Sequence, residues 1–154
     1  MKKFKKGEII QYQGDVNTKV YYVEAGLLRS YTIDENGKEH IFMFAPEGWI
    51  VADSLPPDSP CELFIDALED SMVKVVEKED DTIEHNESKL IKRISVLQKR
   101  IIMLLSSSAT ERYEYFLDTY PNISQRIPQK MIASFIGITP QALSTLRNEK
   151  ASRN

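Results

Sequence analysis

The sequence predicts an α+β protein with three parts: an N-terminal antiparallel β-roll (jelly-roll-like), a long dimerisation helix and a C-terminal helix-turn-helix. Turn residues punctuate the first part roughly every ten positions, as expected of short antiparallel strands. A heptad-like apolar spacing then begins near residue 90, and two short helical segments flank a glycine near the end. The predicted domain bounds are residues 1–87, 88–108 and 109–154.

The first part of the chain is a series of β-rich runs separated by turns. Asn36-Gly37 is a strong hairpin signal, because both residues tolerate positive φ. The proline-rich segment 46–60 is unsuited to a central strand and predicts a long loop, either a binding loop or a variable surface loop. The predicted strands are Glu8–Tyr12, Val20–Glu24, Leu27–Ile33, Glu39–Phe44, Leu63–Ala67 and Met72–Val76.

The long helix carries an apolar spacing that is typical of a helical dimer. The residues of this seam follow one another at intervals of 4, 3, 4 and 3, and they are Leu90, Ile94, Leu97, Ile101 and Leu104. Basic residues flank the seam, which favours a homodimer interface over an ordinary amphipathic core helix. Three further apolar residues widen the stripe and predict that the helix also contacts its own domain: Ile91, Ile102 and Leu105.

The C-terminal segment has the start and stop signals of two short helices joined by a sharp turn. Thr139 is a good N-cap, and Pro140 suits the first helical position, where its missing N–H costs nothing. Gly137 lies where the turn between two crossed helices requires positive φ. These signals favour a DNA-binding helix pair over a helical hairpin that only packs.

Polar residues on the exposed sides of this helix pair predict its DNA contacts. Those on the second helix that suit base edges are Gln141, Ser144, Thr145 and Asn148. Those that suit phosphates are Gln129 and Lys130 at the start of the first helix, and Arg147 and Lys150 on the second.

The charge distribution supports the same prediction. Residues 1–87 carry 9 Lys and Arg against 19 Asp and Glu, whereas residues 88–154 carry 11 against 4. The C-terminal part alone therefore has the basic character that attracts nucleic acid, although the net charge of the whole chain is −3.

Other classes of function lack the residues that they need. Cys61 is the only cysteine and His40 and His85 are the only histidines, so we expect no disulfide, no metal site, no cofactor and no enzymatic activity. The basic start is not followed by the apolar segment of a signal peptide, and no apolar run is long enough to span a membrane. These features predict a cytoplasmic protein without a membrane partner.

Several segments together resemble the Crp/Fnr superfamily of bacterial transcription regulators, particularly the form found in Bacteroidetes. They are Phe4–Asp15, Tyr21–Arg29, Asn36–Glu39, Ala67–Ser71, Glu111–Tyr113 and Ile132–Pro140. The resemblance covers nearly the whole chain. It implies a cyclic-nucleotide-binding-type β-roll, a long dimerisation helix and a helix-turn-helix that binds DNA.

Some features depart from that family's pattern. The sequence begins where the family's β-roll begins and stops soon after the recognition helix, so we expect neither the usual N-terminal helices nor a β wing. Cys61 falls at the position of the phosphate-binding Arg of cyclic-nucleotide binders and is followed by Glu62, which would repel a phosphodiester. Thr145 occupies a recognition-helix position where the family often has Arg.

The predicted function is that of a homodimeric DNA-binding transcription regulator that does not depend on cyclic AMP. Its predicted partners are double-stranded DNA and a second copy of the chain, and the sequence leaves open whether a small-molecule effector exists and which residues would bind it. The alternative is a small-ligand sensor module of the same fold without productive DNA binding, because the recognition helix is short of Arg.

Overall fold

The computed structural model describes residues 1–78 and 87–152, and the side chains of these residues except 87–90. The chain divides into two compact units, Met1–Asp80 and Asp81–Asn154. The described residues of the first unit form strands and those of the second form helices, which confirms the predicted α+β class.

In residues 1–78, eight strands form two antiparallel sheets of four strands each. The first sheet has the order β1-β8-β3-β6 and the second has the order β2-β7-β4-β5. The strands are β1 (Lys2–Phe4), β2 (Ile9–Gln11), β3 (Lys19–Ala25), β4 (Leu27–Ile33), β5 (Glu39–Pro46), β6 (Ile50–Val51), β7 (Phe64–Ala67) and β8 (Ser71–Glu77).

The core of this unit lies between the two sheets. In β3 and β8 buried and exposed residues alternate, as the two-residue period of a strand requires. The first sheet contributes Tyr21, Val23, Val51 and Val73, and the second contributes Leu28, Ala45, Ile65 and Ala67. Gly26 joins β3 to β4 with φ +94°, and a Cβ there would lie 2.3 Å from Ser71 Oγ, so the close approach of the turn to β8 requires glycine.

Four helices are present in the described part of the second unit. They are α1 (Glu87–Ser106), α2 (Ala109–Thr119), α3 (Gln129–Ile136) and α4 (Pro140–Ala151). α2 packs against α3 through aromatic rings: Phe116 lies 5.8 Å from Phe135, and Tyr120, the C-cap of α2, lies 5.4 Å from Phe135, both edge to face. None of the helices in the described part of the chain combines the length and hydropathy of a transmembrane span.

The predicted strands are all present, although several bounds differ. The predicted run Leu27–Ile33 matches β4 in full, and the strand predicted from Glu39 extends beyond Phe44 to Pro46. The predicted loop over residues 46–60 is interrupted by the two-residue strand β6, which pairs with Tyr21 and Tyr22 of β3 at the edge of the first sheet, so the exclusion of a central strand from this segment was correct. A two-residue strand carries no periodicity of its own, and it forms because β3 offers it a free edge.

Candidate functional site

The helix pair α3–α4 is built by capping residues that the sequence supplies at each end. α3 ends at Gly137, whose φ of 68° lies in the left-handed region. The N–H of Ile138 donates to the carbonyl of Ala133 at 3.0 Å, which closes the last turn and reverses the chain. Thr139 then caps α4, since its Oγ1 accepts a hydrogen bond of 3.1 Å from the N–H of Ala142, and Pro140 follows at the first helical position.

The exposed polar face of α4 is fixed by the apolar residues on its opposite side. Leu143 is completely buried, and Ala142 and Leu146 are half-buried. A helix turns by about 100° per residue, so four polar residues share the face that points away from this packing. These residues, all exposed, are Gln141, Ser144, Thr145 and Asn148.

The predicted phosphate-binding residues are also exposed, but they do not all share one surface. Gln129 and Lys130 form the first turn of α3, where Pro128 occupies the N-cap without a side-chain hydrogen bond. Arg147 lies on the flank of α4. Lys150 lies on the other side of that helix, and its ammonium group is 3.6 Å from a carboxylate oxygen of Glu114 on α2. All eight predicted residues are therefore exposed, and Lys150 differs from the others on α4 in facing α2.

The exposed apolar face of α1 has a different register from the predicted seam. Ile94 and Ile101 are exposed by 53% and 57%, whereas Leu97 and Leu104 are half-buried. Leu104 points toward its own helix pair, because its Cδ2 lies 3.5 Å from the position of a Cβ built on Gly137. The side chain of Leu90 lies outside the described residues.

The prediction that α1 also contacts its own domain is confirmed, because Met103 is buried and Arg100 lies 4.1 Å from the centre of the Phe135 ring, but Ile91, Ile102 and Leu105, from which it was inferred, are not the residues buried there. All three are exposed, Leu105 by 80%, and Met103 is the residue of this turn that is buried. The exposed face therefore follows its own heptad spacing, through Ile91, Ile94, Gln98, Ile101 and Leu105. The sequence could not distinguish the two registers, because α1 is apolar on both and only the packing of its last turn decides between them.

In the β-roll, the loop after β6 is held together by a buried carboxylate. Asp53 Oδ2 accepts hydrogen bonds from the N–H groups of Glu62 and Leu63 at 3.0 and 3.2 Å, and its Oδ1 accepts one from Leu55 at 2.9 Å. Lys78 completes the loop by donating to the carbonyl of Leu55 at 2.9 Å. Burial holds the pKa of the Lys78 ammonium below its ordinary value, although the nearby Asp53 carboxylate acts in the opposite direction. Sequence reasoning missed this role of Asp53, since one Asp in a proline-rich segment has no characteristic pattern.

Cys61 lies at the end of the same loop and is buried. Its thiol donates to the carbonyl of Tyr12 at 3.0 Å, and its backbone exchanges hydrogen bonds with the Gly14–Asp15 turn. Cys61 thus anchors the loop to the strand-end turn beside it. The position therefore presents a thiol that is already engaged inside the protein.

The buried cation of the β-roll is matched by two carboxylates. Arg29, which is 5% exposed, donates through Nε and Nη2 to both oxygens of Asp66 at 2.9 Å, and through Nη1 to Glu39 at 2.5 Å. Burial alone would lower the pKa of the guanidinium, but these hydrogen bonds raise it above its usual range. Arg29 also lies 4.0 Å from the centre of the Tyr31 ring. It is therefore an internal structural charge.

Comparison with known proteins agrees with this architecture. Residues 1–81 match the family model described as the cyclic nucleotide-binding domain, and the chain belongs to that family. The chain also resembles curated regulators over 94% of its length, with 28% identity to the regulatory protein HlyX of Actinobacillus pleuropneumoniae and 29% to the fumarate and nitrate reduction regulatory protein of Vibrio cholerae. It spans 69% and 66% of the lengths of these two proteins.

Solved structures show the same fold over nearly the whole chain. A CRP/FNR-family transcriptional regulator from Thermus thermophilus superposes with a TM-score of 0.80 at 17% identity, covering 99% of this chain and 86% of that one. FixK2 from Bradyrhizobium japonicum superposes with a TM-score of 0.76 at 17% identity, covering 98% and 83%. Together with the family model and the curated regulators, these superpositions confirm the resemblance to the Crp/Fnr superfamily, while the likeness to its Bacteroidetes form stays a prediction.

Proposed function

We propose that this chain is a DNA-binding transcription regulator, that it acts as a homodimer and that it does not depend on cyclic AMP. The observation that carries the proposal is the exposed polar face of α4, on a helix capped at Thr139 and anchored by the buried Leu143. The relatives described above, which match most of the chain, are named as regulators rather than enzymes. We propose the cytoplasm as its compartment.

The proposed DNA contacts divide into base-reading and phosphate-binding residues. α4 enters the major groove, where Gln141 pairs with the edge of an adenine, and Ser144, Thr145 and Asn148 contact neighbouring bases. Gln129 and Lys130 bind a phosphate at the start of α3, where backbone N–H groups and the helix dipole favour an anion. Arg147 contacts the backbone from the flank of α4. Lys150 contributes less, because it is already paired with Glu114.

The proposed dimer is formed along α1. Its exposed isoleucines, Ile94 and Ile101, belong both to the predicted seam and to the exposed face. Covering these side chains with a second helix removes apolar surface from water, which stabilises the dimer. A symmetrical pair of α1 helices would present two α4 helices to successive major grooves, about 34 Å apart. The three predicted domains, bounded at residues 87 and 108, correspond to effector, dimer and DNA functions in this proposal.

Independence from cyclic AMP is supported by the loop after β6. A phosphodiester needs a cation or free N–H donors, but Cys61 offers an engaged thiol and Asp53 already accepts the N–H groups of Leu55, Glu62 and Leu63. Lys78, the cation beside this loop, already donates to Thr18 Oγ1 and to the carbonyl of Leu55. Arg29 is neutralised by Asp66 and Glu39. An effector of other chemistry remains part of the proposal as an unidentified ligand of the β-roll.

A salt titration tests DNA binding against the sensor-only alternative. The affinity for a random duplex, measured by fluorescence anisotropy, should fall steeply as salt increases, because each neutralised phosphate releases counterions. Lys130→Ala should reduce the slope by about one unit, whereas Lys38→Ala, at the tip of a hairpin in the β-roll, should leave it unchanged. A slope near zero for the unmodified protein would support a sensor module without productive DNA binding.

A further inference from the structure

The junction between α1 and α2 is only two residues long and is tightly hydrogen-bonded. Ser108 and Glu111 form a capping box: the Glu111 carboxylate accepts from the N–H of Ser108 at 2.7 Å, and Ser108 Oγ accepts from the N–H of Glu111 at 3.3 Å. This arrangement fixes where α2 begins. It does not by itself fix how α1 is oriented against the helices that follow.

Arg112 makes that second connection. It lies on the first turn of α2, and its guanidinium donates from Nε to the carbonyl of Ser107 at 3.0 Å and from Nη2 to the carbonyl of Leu104 at 2.8 Å. Its Nη1 donates to the carbonyl of Ile136, at the end of α3, at 3.4 Å. The last carbonyls of a helix have no partner within the helix and carry the negative end of its dipole. The Arg112 cation therefore stabilises the C-terminal ends of both α1 and α3.

The turn of the helix pair lies directly against this contact. A Cβ built on Gly137 would be 3.5 Å from Arg112 Nη1 and 3.5 Å from Leu104 Cδ2. A second contact ties the same elements together, because Arg100 of α1 lies 4.1 Å above the centre of the Phe135 ring of α3. Three helices therefore meet at one guanidinium.

We propose that Arg112 is the positioning residue that sets the orientation of the recognition helix α4 relative to the dimerisation helix α1. The inference rests on the proposed function, in which α1 forms the dimer and α4 reads DNA. The angle between these two helices determines the separation of the two recognition helices, and hence the half-site spacing that the dimer accepts. A planar fork of donors can bond three carbonyls at once, whereas a lysine offers one ammonium group and cannot span them.

The distance between α1 and α4 tests the proposal without DNA. Spin labels are placed on the full chain at two exposed positions, Val96→Cys on α1 and Glu149→Cys on α4, with the native thiol removed by Cys61→Ser. Labelled protein is diluted with unlabelled protein, so that pulsed electron paramagnetic resonance measures the distance within one chain. Lys99→Gln, which removes an exposed cation of α1, is the matched control.

We expect one narrow distance distribution for the parent and for Lys99→Gln, and a distribution about twofold broader, or displaced, for Arg112→Gln. If the distance distribution of Arg112→Gln has the same mean and width as that of the parent, the proposal is overturned. If circular dichroism shows that Arg112→Gln does not fold, Arg112→Lys decides: broadening supports the role of the fork, and the parental width overturns it. Because no DNA is present, a negative result leaves the DNA-binding proposal intact, and absence of DNA binding would not change the measured distance.

Discussion

Placing charge on the exposed face of α1 should dissociate the dimer without unfolding the chain. The perturbation is the double substitution Ile94→Lys and Ile101→Lys. Complete burial of an isoleucine stabilises by about 1.5–3 kcal/mol. Since 53% and 57% of these residues are exposed in the single chain, covering each one would contribute roughly 1 kcal/mol. The four side chains of a symmetrical dimer would contribute about 4 kcal/mol, or about a thousandfold in Kd, and the buried ammonium groups would add to this.

Sedimentation equilibrium over a range of concentrations measures this effect. Val96→Lys is the matched control, because Val96 is also an exposed apolar residue of α1 (51%) but points away from the exposed heptad face. We expect the control to dimerise like the parent and the double variant to be monomeric at micromolar concentration, both with parental helicity. A double variant that dimerises as tightly as the parent would show that this face of α1 is not the interface.

Three further predictions concern DNA, ligand and pH. Gln141→Ala should weaken binding to a selected site by roughly 1–3 kcal/mol and binding to random duplex very little, as measured by anisotropy. Isothermal titration calorimetry with cyclic AMP should give no saturable signal at micromolar concentration, and a saturable one would contradict the interpretation of Cys61. Hydrogen bonds from the Ser108 backbone and side chain lower the pKa of the Glu111 carboxyl below its ordinary 4.5. Its contribution to stability is therefore present at neutral pH and is lost as pH falls through the lower folded-state pKa. The free energy of unfolding in urea should consequently fall less between about pH 7 and pH 3 in Glu111→Gln than in the parent. An equal fall in the two proteins would contradict this prediction.

Local signals in the sequence were sufficient to predict the elements that are determined by the backbone preferences of their own residues. Gly137, Thr139 and Pro140 specify a turn, a cap and a first helical position by their backbone preferences alone, and each occupies its predicted role. The bounds of β4 likewise follow from residues within the strand itself. The exposed face of α4 could be predicted because Leu143 and Leu146 define its opposite side by spacing.

Features that depend on distant partners could not be predicted from spacing. The register of the exposed face of α1 depends on Leu104 packing near Gly137, more than thirty positions later in the chain. The pairing of Lys150 with Glu114 depends on where α2 passes α4. The sequence indicated Arg112 only as part of the family resemblance. Its partners are backbone carbonyls, which every residue type supplies, so the sequence could not predict these contacts.

Selection of bound duplexes from a random library tests the central claim most directly. A homodimer that inserts two α4 helices into successive major grooves should enrich palindromic sequences whose half-sites lie about 10 base pairs apart, centre to centre. The Ile94→Lys and Ile101→Lys variant should lose the palindrome while keeping weak binding to single half-sites. The proposed function predicts that the parent recovers a palindrome and that the double variant does not. It would be contradicted if the parent enriched no sequence and its binding to DNA did not change with salt.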